Sequence, residues 1–300
     1  MVNYTLHRDI VYKHADNVDI ALDVYEPPGE APRPAMLYFH GGALMRGSKR
    51  MNDMHRDRFI NWGYALVSAN YRLAPEAKWP AFRDDMLDAH RWVLNNAAEY
   101  NIDPQRIGVF GDSAGGYLSL LLGALARPRP RVVVPLSGYG DVAGPWYSEP
   151  DAFYLSRKSE DPDKVRKSIS ATVLTECADA LKGAFYRYCR QHGLWPKEVI
   201  GFHPSERPDI FEQACPERLV TPDYPPTFLM HGTNDTDVPF ARAESMYDAL
   251  QRNGVESALA AIEGGPHGCI HKQVNWPGPD EPQVSAALND LREFLESHLA

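Results

Sequence analysis

The sequence predicts an α/β protein, with a mostly parallel central sheet flanked by helices and a helical segment inserted midway. Three observations predict it. Short, wholly apolar runs alternate with stretches of helical spacing in the first 139 residues. The alternation stops between residues 140 and 226, and it resumes from 227 to the C-terminus. Brief apolar runs suit strands covered on both faces, and strands separated by helices imply parallel crossovers.

Taken in order, Thr5–Val11 and Val18–Tyr25 alternate apolar and polar residues and stop at the turn cluster Pro27-Pro28-Gly29. Ala35–Phe39 and Tyr64–Asn70 read as buried strands joined by a loop. Pro80–Tyr100 carries Phe82, Met86, Ala89, Trp92 and Val93 on one helical face. Arg106–Phe110 is a strand, Ala114–Leu125 is apolar nearly all round and suits a central buried helix, and Val132–Leu136 is the next strand. After residue 226 come a strand at Thr227–Met230, a helix at Ala241–Asn253 closed by Gly254, a strand at Ser257–Ile262 and a helix at Glu281–Leu299. In the inserted stretch, Asp161-Pro162 has the form of a helix start, and Ala178–Gln191 reads as a helix with Gly193 just past its end. Residues 1–139 and 227–300 are therefore expected to form one sheet domain, and 140–226 a helical lid.

Bulk properties narrow the function. The chain has 300 residues, 44% of them hydrophobic and 24% charged, with a formal net charge of −9. That acidity argues against nucleic acid or anionic lipid as a partner. The first ten residues are polar rather than signal-like, and no stretch approaches the ~20 apolar residues of a membrane span. Four scattered cysteines without a CxxC pair read as free thiols, so a cytoplasmic protein acting on a small molecule is expected, with homodimerisation left open.

Four local features carry chemistry. Gly111-Asp112-Ser113-Ala114-Gly115-Gly116 follows a strand and opens an apolar helix. A serine on such a tight turn needs small neighbours, and the turn points following N–H groups at a developing oxyanion. His40-Gly41-Gly42-Ala43 follows the Ala35–Phe39 strand and has the form of the other half of an oxyanion hole. His231-Gly232-Thr233-Asn234-Asp235 ends the Thr227–Met230 strand, where open α/β sheets place functional groups. Asp235 is the candidate acid and Asp237 its rival. Gly264-Gly265-Pro266-His267-Gly268 supplies a histidine on a loop after the last strand. The chain order Ser113, Asp235, His267 is the nucleophile–acid–base order of α/β-hydrolases.

Together with Tyr71-Arg72-Leu73-Ala74-Pro75-Glu76, Pro80-Ala81, Asp85 and Trp92, these motifs resemble the hormone-sensitive-lipase-like and related carboxylesterase branches of the α/β-hydrolase superfamily. The resemblance runs from about residue 18 to the C-terminus. The acid stretch His231–Pro239 is closer to feruloyl-esterase-like and prolyl-oligopeptidase-like hydrolases. The resemblance implies hydrolysis of carboxylic esters of short acyl chains through an acyl-enzyme and without cofactor. It also implies Ser113 as nucleophile, His267 as base, and Gly41, Gly42 and Ala114 as oxyanion donors. An amidase, formamidase or small peptidase would use the same triad, and a non-catalytic receptor on this fold would be expected to lose Ser113 or His267.

The remaining features read more plainly. His267 and His271 stand four apart, a zinc-like spacing, but no third ligand is apparent and no metal is expected. Arg72 and Glu76 read as a local ion pair, and Cys269 as a packed thiol. Trp146, Tyr147, Phe153 and Tyr154 follow the Val132–Leu136 strand, so at least one of them is expected to line the substrate pocket and to favour compact or aromatic esters.

Overall fold

The computed structural model describes residues 2–29 and 31–300. Its centre is an eight-stranded sheet. The strands are β1 (Thr5–Ala15), β2 (Val18–Glu26), β3 (Arg33–Phe39), β4 (Ala65–Ala69), β5 (Ile102–Asp112), β6 (Val133–Leu136), β7 (Thr227–Gly232) and β8 (Ser257–Ile262). Their spatial order is β1-β2-β4-β3-β5-β6-β7-β8. β2 runs antiparallel to both β1 and β4, and every other neighbouring pair is parallel. β4, β6 and β7 are buried at every position and mostly apolar, as strands covered on both faces are.

The helices are α1 (Asp53–Asn61), α2 (Ala81–Asn96), α3 (Ala114–Leu125), α4 (Pro145–Ser148), α5 (Ala152–Leu155), α6 (Pro162–Arg166), α7 (Ala180–His192), α8 (Trp195–Val199), α9 (Pro208–Ala214), α10 (Ala241–Arg252) and α11 (Pro282–Leu299). On one side of the sheet, Phe82, Met86, Tyr117, Leu118 and Leu121 join a core built on Leu37, Val67 and Val109. On the other, Phe59, Leu288, Leu291 and Leu295 pack with Met36, Phe110 and Met230. Neighbouring strand residues thus feed opposite cores, as period-two alternation requires. Among the described residues no helix is long and apolar enough to cross a membrane.

α1 falls in the stretch that reads as a loop. Asn52 caps it, its side chain accepting from Met54 N at 2.8 Å, but only His55, Phe59 and Ile60 are buried along a charged sequence. So few buried positions leave little helical period to see.

Between β6 and β7 lie α4 to α9 and no strand of the sheet. The expected pairing of Arg72 with Glu76 is not found. Arg72 grips Asp85 of α2 with two nitrogens, Nε at 2.8 Å and Nη2 at 2.7 Å. Glu76 instead takes Lys182 of α7, at 2.5 and 2.6 Å. Neighbours in sequence diverge here because each charge is buried and has to find the partner its side of the chain faces. Both side chains of the Glu76–Lys182 pair are essentially inaccessible, at 1% and 0%, and the pair ties α7 to the loop before α2.

A buried pair is costly to break one-sidedly. Lys182→Met should lower unfolding stability by about 3 kcal/mol, read from the denaturant midpoint. The double change Glu76→Leu/Lys182→Met should recover most of that loss.

Candidate active site

Ser113 sits at the junction of β5 and α3 with φ +54° and ψ −115°. A side-chain-bearing residue pays for this conformation, and the surroundings hold it there. Ser113 N donates to Leu136 O at 2.8 Å. α3 also lies so close to β3 that a Cβ on Gly115 would run into the carbonyl oxygen of Phe39. With Ser113 N–H committed to β6, the next amide, Ala114 N–H, is in the first turn of α3, where helix donors lack an intrahelical acceptor.

The His40–Ala43 loop lies directly against this turn. A Cβ built on Gly41 would stand 3.3 Å from Ser113 Cβ. Gly42 has φ +114°, a backbone state that favours glycine. The bonds holding the loop are made to its carbonyls. Tyr71 Oη donates to His40 O at 2.8 Å, Met45 N to Gly42 O at 3.0 Å, Ala74 N to Leu44 O at 2.8 Å, and Trp195 Nε1 to Ala43 O at 3.1 Å. The Tyr71 ring also stacks on His40, with centroids 4.4 Å apart. Burial pulls the His40 imidazole down to about 4, so it is neutral at neutral pH.

His267 and Asp235 meet on the neighbouring loops. His267 Nδ1 is 2.7 Å from Asp235 Oδ2. Asp235 is itself fixed, with Oδ1 accepting from Asp237 N and Val238 N, both at 2.8 Å. Its Oδ2 is also 3.0 Å from His231 Nε2. Burial opposes its charge, but bonds from His231 and His267 outweigh that and hold the carboxyl well below the usual carboxylate range. Asp235 is thus a stable anion on the Nδ1 edge. Asp237 stands on the other edge, with Oδ2 3.5 Å from His267 Nε2. Its Oδ1 accepts from Tyr154 Oη at 2.6 Å, Tyr186 Oη at 2.5 Å and Arg190 Nη1 at 3.1 Å.

Burial disfavours the His267 imidazolium, but the carboxylates of Asp237, Asp235 and Asp112 overcome it and raise the pKa to about 9. His271 points away from this pair, with Nε2 3.7 Å from Asp112 Oδ1. Cys269 is buried, and desolvation pushes its thiol up to about 12. The four cysteines are all free.

The four aromatics of α4 and α5 lie at different depths. Tyr147 is stacked between Trp146, at 3.6 Å between centroids, and Trp195, at 4.0 Å. Tyr154 is buried against Asp237, while Trp146 and Phe153 are half-buried. Two participants carried no sequence signal of their own. Arg190 and Tyr186 reach Asp237 from α7, and only the packing of that helix brings them there. His231 could have been found, since it precedes Asp235 by four residues in the same motif.

A serine on a glycine-flanked strand-to-helix turn, a facing glycine loop, and an Asp–His pair on later strand ends together define an α/β-hydrolase. Solved structures agree. An α/β-hydrolase superfamily protein from Enterococcus faecalis aligns with TM-score 0.76 at 18% identity, covering 99% of this chain and 100% of that one. A thermophilic carboxylesterase cloned from a metagenomic library aligns with TM-score 0.71 at 24% identity, covering 100% and 92%. The BD-FAE family model matches residues 22–250, and the chain belongs to that family. Among curated proteins, a carboxylesterase of Mycobacterium tuberculosis is 40% identical over 148 residues, 46% of each chain. An ethyl acetate hydrolase of Pseudomonas putida is 34% identical over 142 residues, 42% of this chain and 43% of that one. The chain spans under half the length of these curated relatives.

The raised His267 value has a measurable consequence. It lies above the 6.5 of an unfolded imidazole, so protonated His267 stabilises the fold fully below pH 6.5. That contribution is lost as the pH rises through about 9. An NMR titration should place the His267 ring near that value in the wild type and clearly lower in Asp237→Asn.

Proposed function

We propose that this chain hydrolyses carboxylic esters with Ser113 as nucleophile, His267 as base and Asp235 as the carboxylate that orients it. The observation that carries the reading is the 2.7 Å contact between His267 Nδ1 and a fully bonded, anionic Asp235, on the same edge of the sheet as the Ser113 turn. With Nδ1–H donated to Asp235, Nε2 is the atom that takes the Ser113 hydroxyl proton as the oxygen attacks the ester carbonyl. The amides of Gly41, Gly42 and Ala114 stabilise the tetrahedral oxyanion, each contributing about 3 kcal/mol. His267 then returns the proton to the leaving alcohol, and a water activated by the same ring releases the acid. The carboxylesterase and ethyl acetate hydrolase likenesses support an ester over an amide.

The substrate class we propose is compact or aromatic esters. A cavity of about 570 Å³ borders Gly41 and Gly42, and Cys177 and Ala178 also line it. That volume lies within the ordinary range for a small-molecule site. Of the four lid aromatics, Trp146 and Phe153 are only partly buried, and these two are proposed to touch the substrate.

The central test is Ser113→Ala, which should abolish labelling by a fluorophosphonate and lower kcat on order 10⁴-fold. Retention of wild-type turnover would falsify the assignment. Asp235→Asn should cost on the order of 10⁴-fold, through loss of the correct tautomer, and far more than Asp237→Asn. Because neutral His267 is the working base, kcat/KM should climb with pH towards about 9. Asp237→Asn removes the nearest charge on Nε2 and should move that limb to lower pH. Trp146→Ala and Phe153→Ala should change the ranking of an acyl-length and aromatic ester panel more than they change Tm. An unchanged ranking with a lower Tm would make both residues lid core.

A further inference from the structure

Beneath the nucleophile turn lies a second cluster that the ester chemistry does not use. His55 of α1, Asp112 of β5 and His271 of the loop after His267 converge from three separate segments. His55 Nε2 is 3.2 Å from Asp112 Oδ1 and 3.1 Å from Oδ2. His271 Nε2 is 3.7 Å from Oδ1. One ligand atom from each residue lies within 4.8 Å of those of the other two. The two imidazole rings meet edge to face at 4.7 Å.

We propose that His55, Asp112 and His271 bind a divalent transition-metal ion of the zinc kind. A tetrahedral zinc ion with bonds of about 2.1 Å spaces its ligand atoms about 3.4 Å apart, and the separations of His55 and His271 from Asp112 Oδ1, 3.2 and 3.7 Å, fall on either side of that value. The donor set is two imidazoles and one carboxylate, which leaves one coordination position open. Asp112 and His271 keep 18% and 26% side-chain exposure while His55 has none, so the cluster can be reached from solvent on the Asp112 and His271 side.

The surroundings select the kind of cation. Calcium and magnesium need several oxygen ligands, and this cluster offers one carboxylate. Arg58, one turn along α1 from His55, adds a positive charge that feels Asp112, with its Nη1 buried and unpartnered. A hard ion held mainly by charge is disfavoured beside it, whereas nitrogen ligation of a softer ion tolerates it better. Asp112 also has the supporting contact such ligands carry, since Tyr38 Oη donates to its Oδ2 at 2.9 Å. The ion would cross-link α1, the nucleophile turn and the His267 loop without touching the proposed triad. The zinc-like spacing of His267 and His271 is therefore half of a different site.

The test is metal binding by purified, chelator-stripped full chain. One Zn²⁺ per chain should bind by calorimetry, and Co²⁺ should give visible d–d bands of a low-coordinate site. Zinc should also raise Tm by several degrees. His271→Ala, at a partly exposed position, should weaken binding at least 100-fold and remove the Tm response. His55→Gln should do the same if it folds. Ser113→Ala should bind zinc like the wild type, so the outcome is independent of the esterase reading. Absence of stoichiometric binding, binding unaltered in His271→Ala, or binding lost instead in His267→Ala would each overturn the proposal.

Discussion

Everything near the candidate site depends on how closely α3 packs on β3. The approach leaves no room for a Cβ on Gly115 against Phe39 O, and it forces the chain to turn sharply at Ser113, whose φ is +54°. Once that turn is fixed, Ser113 projects at the sheet edge, Ala114 presents an unspent amide, and Asp112 is driven to the opposite side of the turn. The hydroxyl and the His55–Asp112–His271 cluster are thus two faces of one backbone constraint. Neither could move without opening the contact between helix and strand.

The helical segment between β6 and β7 is held to this framework by charge as well as by packing. Glu76–Lys182 anchors α7 from one side, and Asp237 receives Tyr154, Tyr186 and Arg190 from the other. Asp237 therefore has two duties that pull in different directions. It satisfies buried donors of α5 and α7, and its remaining oxygen faces His267 Nε2 at 3.5 Å, which makes the imidazole more basic. Two carboxylates around one imidazole are tolerable because they act on different edges, one orienting the ring and one biasing its charge.

Much of the fold was legible because period and chemistry agreed locally. The buried strands, the apolar central helix and the motif at each strand end were readable from adjacent residues alone. α1 was not, since His55, Phe59 and Ile60 are too few to mark a helical face among charged neighbours. The pairing of Arg72 and Glu76 was misjudged for a related reason. Sequence proximity says nothing about which way two buried charges face, and they found Asp85 and Lys182.

The sequence by itself determined the α/β architecture, the order Ser113–Asp235–His267 and the glycine loops around them, because each is a property of a short contiguous segment. The tertiary structure alone decided that Asp235 takes Nδ1 while Asp237 takes the Nε2 side. It also decided that α7 supplies the partners of Asp237, and that His271 joins His55 and Asp112 rather than His267. These choices concern residues tens of positions apart. Only the packing of helices on the sheet sets the distances between them, and hydrogen bonds and ion pairs form at a few ångströms or not at all.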